Sequence, residues 1–318
     1  MNKPDIWAYL IHLGSNMWYD EGSSNLPSLG EEAFHEYRDY LLCDEPTWDE
    51  VIHFLPTQGI NTLIIDLGEG VAYDTHPELA VPGTWSKDKL RRKLDEIRAL
   101  GMEPIPKINF SACHDAWMKE YSRMLSTDIY RQVAADLIAE VSDLFDHPRY
   151  FHIGMDEETA AHQQNYAYTF VRAEKPWWSD FYYFVDQVEK AGARPWVWSD
   201  YYWEHPDLFR KHMPKDVLQS NWYYGDDFFK GKDGKYNTYV QTYVDLDEMG
   251  YDQVPTGSTW GYLHNEARTV LFCRDNISPE HLKGFMTAPW MLTVPGKKYS
   301  LIADAAVLAD ARRQGYEK

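Results

Sequence analysis

Three consecutive carboxylates, Asp156, Glu157 and Glu158, follow the apolar run Tyr150-Phe151-His152-Ile153-Gly154-Met155. Adjacent like charges disfavour one another's ionisation, so such a triplet invites raised pKa values. A carboxyl that keeps its proton near neutrality can give it to a departing oxygen, while a neighbour that stays ionised can steady positive charge. The competing reading is structural: acids in the first turn of a helix are favoured by the helix dipole. The triplet alone does not separate the two.

The elements around it give it a position. Strand-like and helix-like segments alternate along the chain, the pattern of a parallel α/β sheet. Strands are expected from Ile6 to Leu13, Asn61 to Leu67, Glu103 to Phe110, Tyr150 to Met155, Pro195 to Asp200 and Val217 to Trp222. A seventh falls somewhere between Gln253 and Trp260, and an eighth runs from Gly284 to Trp290. Their near-continuous apolar character suits strands covered on both faces. Helices are expected from Thr47, capped by its own hydroxyl with Glu50 three residues on, and from Ser86 to Leu100, closed by Gly101. Others run from Thr127 to Phe145, Trp178 to Ala191 and Ser300 to Arg313. Eight strand–helix units without linker, repeat or low-complexity stretch predict one (β/α)8 TIM barrel spanning residues 1–318. An open doubly wound sheet would carry a glycine-rich phosphate turn after the first strand, and there is none.

Barrel enzymes build their sites at the C-terminal ends of the strands. Those ends hold Asp66 and Glu69; Asn109 and His114; the acidic triplet; Trp198 and Asp200; Trp222; Trp260 and Tyr262; and Trp290. Aromatic faces stack on the C–H faces of sugar rings while indole and phenol groups reach hydroxyls, so acids and tryptophans on one rim point to carbohydrate. Each tryptophan taken singly is as well explained by core packing.

The 50 acidic and 31 basic residues leave a formal charge of −19, which repels phosphate backbones and argues against nucleic acid as a partner. No apolar run approaches the roughly 20 residues of a membrane span. The N-terminal residues lack the apolar region of a signal peptide, so the chain is expected to be cytoplasmic or a trimmed secreted protein. The cysteines, Cys43, Cys113 and Cys273, are odd in number and far apart, which suits idle thiols rather than disulfides or zinc. Without a His-x-His or His-Glu-x-x-His pattern, neither metal nor other cofactor is expected. The aromatic stretch from Trp222 to Phe229 could pair two copies as a homodimer or cover a pocket.

His152-Ile153-Gly154-Met155-Asp156-Glu157 resembles the His-Ile-Gly-Gly-Asp-Glu signature of family 20 glycoside hydrolases, the β-N-acetylhexosaminidases. Asn61 to Tyr73, His76-Pro77-Glu78-Leu79 with Trp85-Ser86-Lys87-Asp88, and Ile105-Pro106-Lys107-Ile108-Asn109 with His114 and Trp117 resemble further stretches of that family in the same order. The resemblance covers about the first two thirds of the chain well and the last third loosely. It implies a retaining mechanism in which the substrate's acetamido oxygen is the nucleophile. On that basis Glu157 is the general acid, Asp156 orients the acetamido group, and His114 belongs to a polar relay beside the acid. Trp198, Trp222 and Trp290 would wall the pocket, Asp200 matches a Trp-x-Asp at the end of strand five, and Tyr262 would meet the acetamido carbonyl. The chain departs from the family by lacking an arginine after the first strand and the usual preceding β-sandwich domain. It also carries Lys107 and Asn109 where Glu and Asp are usual, and Met291-Leu292 after Trp290. These departures leave the identity of the sugar open.

Overall fold

The computed structural model describes residues 4–20, 34–164 and 166–317. Eight parallel strands alternate with helices: β1 (Ile6–His12), β2 (Thr62–Asp66), β3 (Glu103–Lys107), β4 (Tyr150–His152), β5 (Arg194–Trp198), β6 (Leu218–Ser220), β7 (Thr256–Gly257) and β8 (Gly284–Thr287). They hydrogen-bond in the order β6-β5-β4-β3-β2-β1-β8-β7. Parallel bridges between Gln219 and Gln253, and between Trp222 and Thr256, join the two ends, so the sheet closes into the expected (β/α)8 barrel.

The two-residue period of the strands sorts their side chains into two cores. Ile6, Ala8 and Leu10 of β1 point inward with Ile64, Ile105, Trp196, Leu218 and Met286 to fill the barrel. Trp7, Tyr9 and Ile11 point outward with Leu63, Ile65, Phe151 and Val197 against the helices. Carried one step further toward the C-terminal ends, the inward series becomes polar. His12, Asp66, Lys107 and His152 all lie buried there, with Lys107 ion-paired to Asp66. That polar layer is the floor of the rim.

The principal helices are α1 (Glu45–Phe54), α2 (Lys87–Ala99), α3 (Asp128–Leu144), α4 (Glu174–Lys190), α5 (Tyr201–Glu204), α6 (Pro206–His212), α7 (Thr238–Glu248), α8 (Asn265–Asn276) and α9 (Lys298–Tyr316). Ser86 caps α2 and Thr127 caps α3, each accepting from the backbone N–H three residues on. Leu90, Leu94 and Ile97 form the buried stripe of α2 at helical spacing.

Two expectations need correction. The cap of α1 is Asp44, whose Oδ2 accepts from the backbone N–H of Thr47 at 2.9 Å and from its hydroxyl at 2.6 Å; Thr47 is a donor. Proline at position 46, in the first turn, lets the helix begin earlier than Thr47. The strands are also shorter than their apolar runs. β3 ends at Lys107 rather than Phe110 and β4 at His152 rather than Met155, because the chain bends out of the sheet to build the rim. Among the described residues no helix is long and apolar enough to cross a membrane.

Candidate active site

After His152 the backbone follows a path that few residues adopt freely. Gly154, Met155 and Glu157 have φ values of +70°, +72° and +57°, and such left-handed conformations at non-glycine residues persist only where the surroundings fix them. Here Asn109 does so. Its Oδ1 accepts from Met155 N at 3.1 Å and Ser111 N at 3.0 Å, while its Nδ2 donates to Asp156 Oδ1 at 2.7 Å. Asp200 Oδ2 accepts from Glu157 N at 2.7 Å, and Cys113 Sγ donates to Glu157 O at 2.8 Å. Residues 153–158 form no helix, and α4 starts only at Glu174. The helix-start reading of the triplet therefore fails.

The three acids go separate ways. Glu158 turns from the rim to accept from Arg172 Nε at 2.7 Å and Ala112 N at 3.1 Å, and Arg172 also meets Asp180 at 3.2 Å. Asp156 is buried, whereas the Glu157 side chain is about a quarter exposed. The His114 imidazole stands between them, with Nε2 at 3.3 Å from Asp156 Oδ2 and 3.2 Å from Glu157 Oε2, hydrogen-bond aligned to neither. A second imidazole, His162, lies 3.5 Å from the other oxygen of Glu157.

The electrostatics follow from these contacts. Burial would raise Asp156, but the charges of His114 and Lys107 and the amide of Asn109 outweigh it and hold the carboxyl below its usual range. That is opposite to the upward shift expected of adjacent acids. Burial works against the His114 cation, yet Asp156 and Glu157 hold it up, to about 10. Asp200 is pushed up to about 8 by burial and by the nearby Asp156 charge. Asp156 is thus favoured as the carboxylate and His114 as the cation, while burial favours the neutral form of Asp200.

Asp156, Glu157, His114, Trp222 and Trp290 line one cavity of about 200 Å³, with Lys107 and Asn109 in its wall. Trp260 lines it too. Trp198 does not: it is buried in the barrel core, 4.7 Å from the His152 ring and 6.0 Å from Trp290. Asp200 lies behind Glu157 and faces a neighbouring cavity. Tyr262 is half exposed and lines neither; the tyrosine present is Tyr224, which accepts from Trp290 Nε1 at 2.9 Å. Tyr224 continues the two-residue alternation beyond Trp222, a signal the sequence did contain. Trp18, Phe34 and His35 also line the cavity, from the long segment after β1, where no periodicity marks them. Trp222 and Tyr224, from the start of the aromatic stretch, line the cavity.

His114, Asp156 and Glu157 each bring a potential metal-ligand atom within 4.8 Å of the others. Between two carboxylates the His114 imidazole is favoured as a cation, so the three groups can also hold and move a proton.

No protein-family model and no curated protein matches this chain. Solved structures do. A chitobiase from Flavobacterium johnsoniae superposes with a TM-score of 0.66 at 16% identity, over 98% of this chain and 48% of the other. A β-N-acetylhexosaminidase from Bacteroides fragilis gives 0.64 at 14% identity, over 98% and 66%. Dispersin B gives 0.56 at 14% identity, over 96% and 99%. The fold is that of the family 20 glycoside hydrolase barrel. This chain spans about half the length of the chitobiase and almost the whole of Dispersin B.

Within that barrel the departures noted in the sequence acquire structural roles. Lys107 offsets the buried charge of Asp66, and both are fully buried. Asn109 presents an N–H to Asp156, which a carboxylate in its place would not. Trp290 adopts φ +54° before the chain turns to Met291, and its indole stays in the cavity wall.

Proposed function

We propose that this protein is a retaining exo-glycosidase of the family 20 type, removing terminal N-acetylhexosamine residues with the substrate's acetamido oxygen as nucleophile. The observation that carries the reading is the division of labour between two adjacent carboxylates facing one small aromatic cavity. Asp156 is buried, held ionised and fixed by Asn109, so it can accept the acetamido N–H and stabilise the positive charge that develops on that group. Glu157 lines the same cavity beside His114, which supports a role in protonating the glycosidic oxygen.

In the first step the acetamido oxygen bonds to the anomeric carbon as the glycosidic bond breaks, and the Glu157 proton goes to the leaving oxygen. In the second, the Glu157 carboxylate takes a proton from water as the water oxygen opens the oxazolinium ring, so configuration is retained. Trp222 and Trp290 line the cavity and supply apolar surface for the sugar ring. Tyr224 accepts from Trp290, which leaves its own hydrogen for the acetamido carbonyl. A cavity of about 200 Å³ suits a single terminal residue.

The test is release of 4-nitrophenol from the N-acetyl-β-glucosaminide or galactosaminide. Glu157→Gln should lower kcat by at least about 100-fold, the scale of general acid catalysis, with unchanged melting temperature. Equal turnover by both proteins would remove Glu157 from the role. Turnover of the plain glucoside alone would instead indicate a related glycosidase acting on a sugar without the acetamido group. Tight inhibition by a thiazoline analogue of the bicyclic intermediate would support acetamido participation.

A further inference from the structure

His114 Nε2 stands 3.3 Å from Asp156 Oδ2 and 3.2 Å from Glu157 Oε2, yet neither ring nitrogen makes an aligned hydrogen bond. The imidazole is 4% exposed, so water does not meet it freely either. A buried polar ring left in that position is costly unless another group satisfies it. The spacing indicates which group. Zinc bound tetrahedrally by nitrogen and oxygen at about 2.0–2.1 Å sets its ligand atoms about 3.3–3.4 Å apart. Two of the three edges are already close to that length. Among the described residues this is the one place where three such ligand atoms lie within 4.8 Å of one another. We propose that His114, Asp156 and Glu157 bind a single Zn2+ ion. Only its consequence rests on the hydrolase reading: an ion held there occupies both working carboxylates and inhibits turnover reversibly.

The surroundings keep the ligands in position. Asn109 Nδ2 donates to Asp156 Oδ1 at 2.7 Å, which leaves Oδ2 for His114 and the ion. Outer hydrogen bonds of this kind orient the ligands of metal sites. The Glu157 backbone is tied to Asp200 and Cys113, while its side chain, about a quarter exposed, can adjust to close the third edge. All three ligands line the cavity of about 200 Å³, which has room for a water molecule to complete the coordination.

Charge decides the class of ion. Metal ligands are deprotonated, so the two carboxylates and a neutral imidazole carry two negative charges, which a divalent ion neutralises. Lys107 lies in the same wall, but its ammonium is ion-paired to Asp66. His35, also in the wall, is shifted toward its neutral form by burial. His114 itself is favoured as a cation, so zinc displaces its ring proton to solvent as the Zn–N bond forms. Magnesium prefers octahedral oxygen ligands and gives up water reluctantly, whereas imidazole suits zinc.

The experiment is isothermal titration of ZnCl2 into the full chain, stripped of metal with a chelator, in a weakly coordinating buffer at slightly alkaline pH. One saturable site is expected, and MgCl2 should give none. His114→Gln and Glu157→Gln, made separately, should each weaken zinc binding at least about tenfold, the least that disturbing the support of a metal ligand costs. Glu157→Gln alters a partly exposed side chain, so it decides the matter should His114→Gln fail to fold. The absence of a saturable zinc site would overturn the proposal, and so would a site that both substitutions leave unchanged, which would be zinc on surface histidines. Saturating N-acetylglucosamine should weaken zinc binding by competition; zinc and sugar bound together without mutual effect would overturn the inhibition. Should zinc bind and respond to the substitutions while the wild-type protein cleaves no glycoside, the hydrolase reading falls and the zinc site stands.

Discussion

The carboxamide of Asn109 serves three neighbours at once, accepting two backbone N–H groups through Oδ1 and donating to Asp156 through Nδ2. Aspartate could accept the same N–H groups, but it would set two negative charges within hydrogen-bond distance, and one of the pair would take up a proton. Alanine would leave the backbone N–H groups of Met155 and Ser111 buried without this acceptor. We expect Asn109→Ala to cost about 2–4 kcal/mol, since each unsatisfied buried group costs roughly 1–3 kcal/mol. Urea denaturation measures this, and an unchanged midpoint would show that water or a backbone shift replaces the amide. The sequence marks Asn109 as a strand-end residue and a departure from the family. It does not reveal the clamp, because two of the three partners, Met155 and Asp156, lie over forty residues away in the chain.

The end of β4 shows why element boundaries were harder to read than element order. An apolar run extends to Met155, but the sheet ends at His152 and the next residues turn through left-handed conformations. Gly154 is required there twice over, by its φ of +70° and because a Cβ would lie 2.0 Å from Asn109 Oδ1. Gly192, after α4, has φ +87° with nothing within 4 Å of an added Cβ. Gly192→Ala should therefore cost only the backbone penalty, about 1–2 kcal/mol. Gly154→Ala should cost at least about 2 kcal/mol more, by displacing Asn109, and should lower turnover as well. Similar melting temperatures for the two variants would contradict the crowding at Gly154. Ser86 and Thr127 were legible as caps because a cap acts within three residues, and at α1 the same local logic simply applies to Asp44 instead of Thr47.

Across the whole molecule, several buried acids are raised chiefly by burial: Glu69 to about 7, and Asp115, Asp200 and Glu266 each to about 8. A group whose pKa is higher folded than unfolded contributes stability in full below its unfolded value and loses it as pH climbs through the folded one. For these carboxyls the loss begins near an unfolded value of about 4 and continues to about 8. His114 has the same sign, its contribution declining from about 6.5 to about 10. Asp156 is depressed, so its contribution is lost as pH falls below its unfolded value near 3.8. Stability should therefore peak at about pH 4, and the urea midpoint should fall steadily from about pH 4.5 to about pH 9. A flat or rising profile would mean that these acids are ionised in the folded protein.

The sequence by itself determined the alternation of strands and helices, the closed barrel, and the collection of acids and tryptophans at its C-terminal rim. These follow from two-residue and helical periodicities, capping residues and the order of elements, all local to short segments. Tertiary structure alone decided that Asp156 is ionised, that Glu158 belongs to an ion pair, that Trp198 lies in the core and that Tyr224 rather than Tyr262 lines the cavity. It also placed Trp18 and Phe34 there, and opened a second chamber beyond Glu157. The reason is that a carboxyl's charge depends on burial and on partners a few ångströms away. Asp156 draws those partners, Lys107, Asn109 and His114, from segments over forty residues distant in the chain.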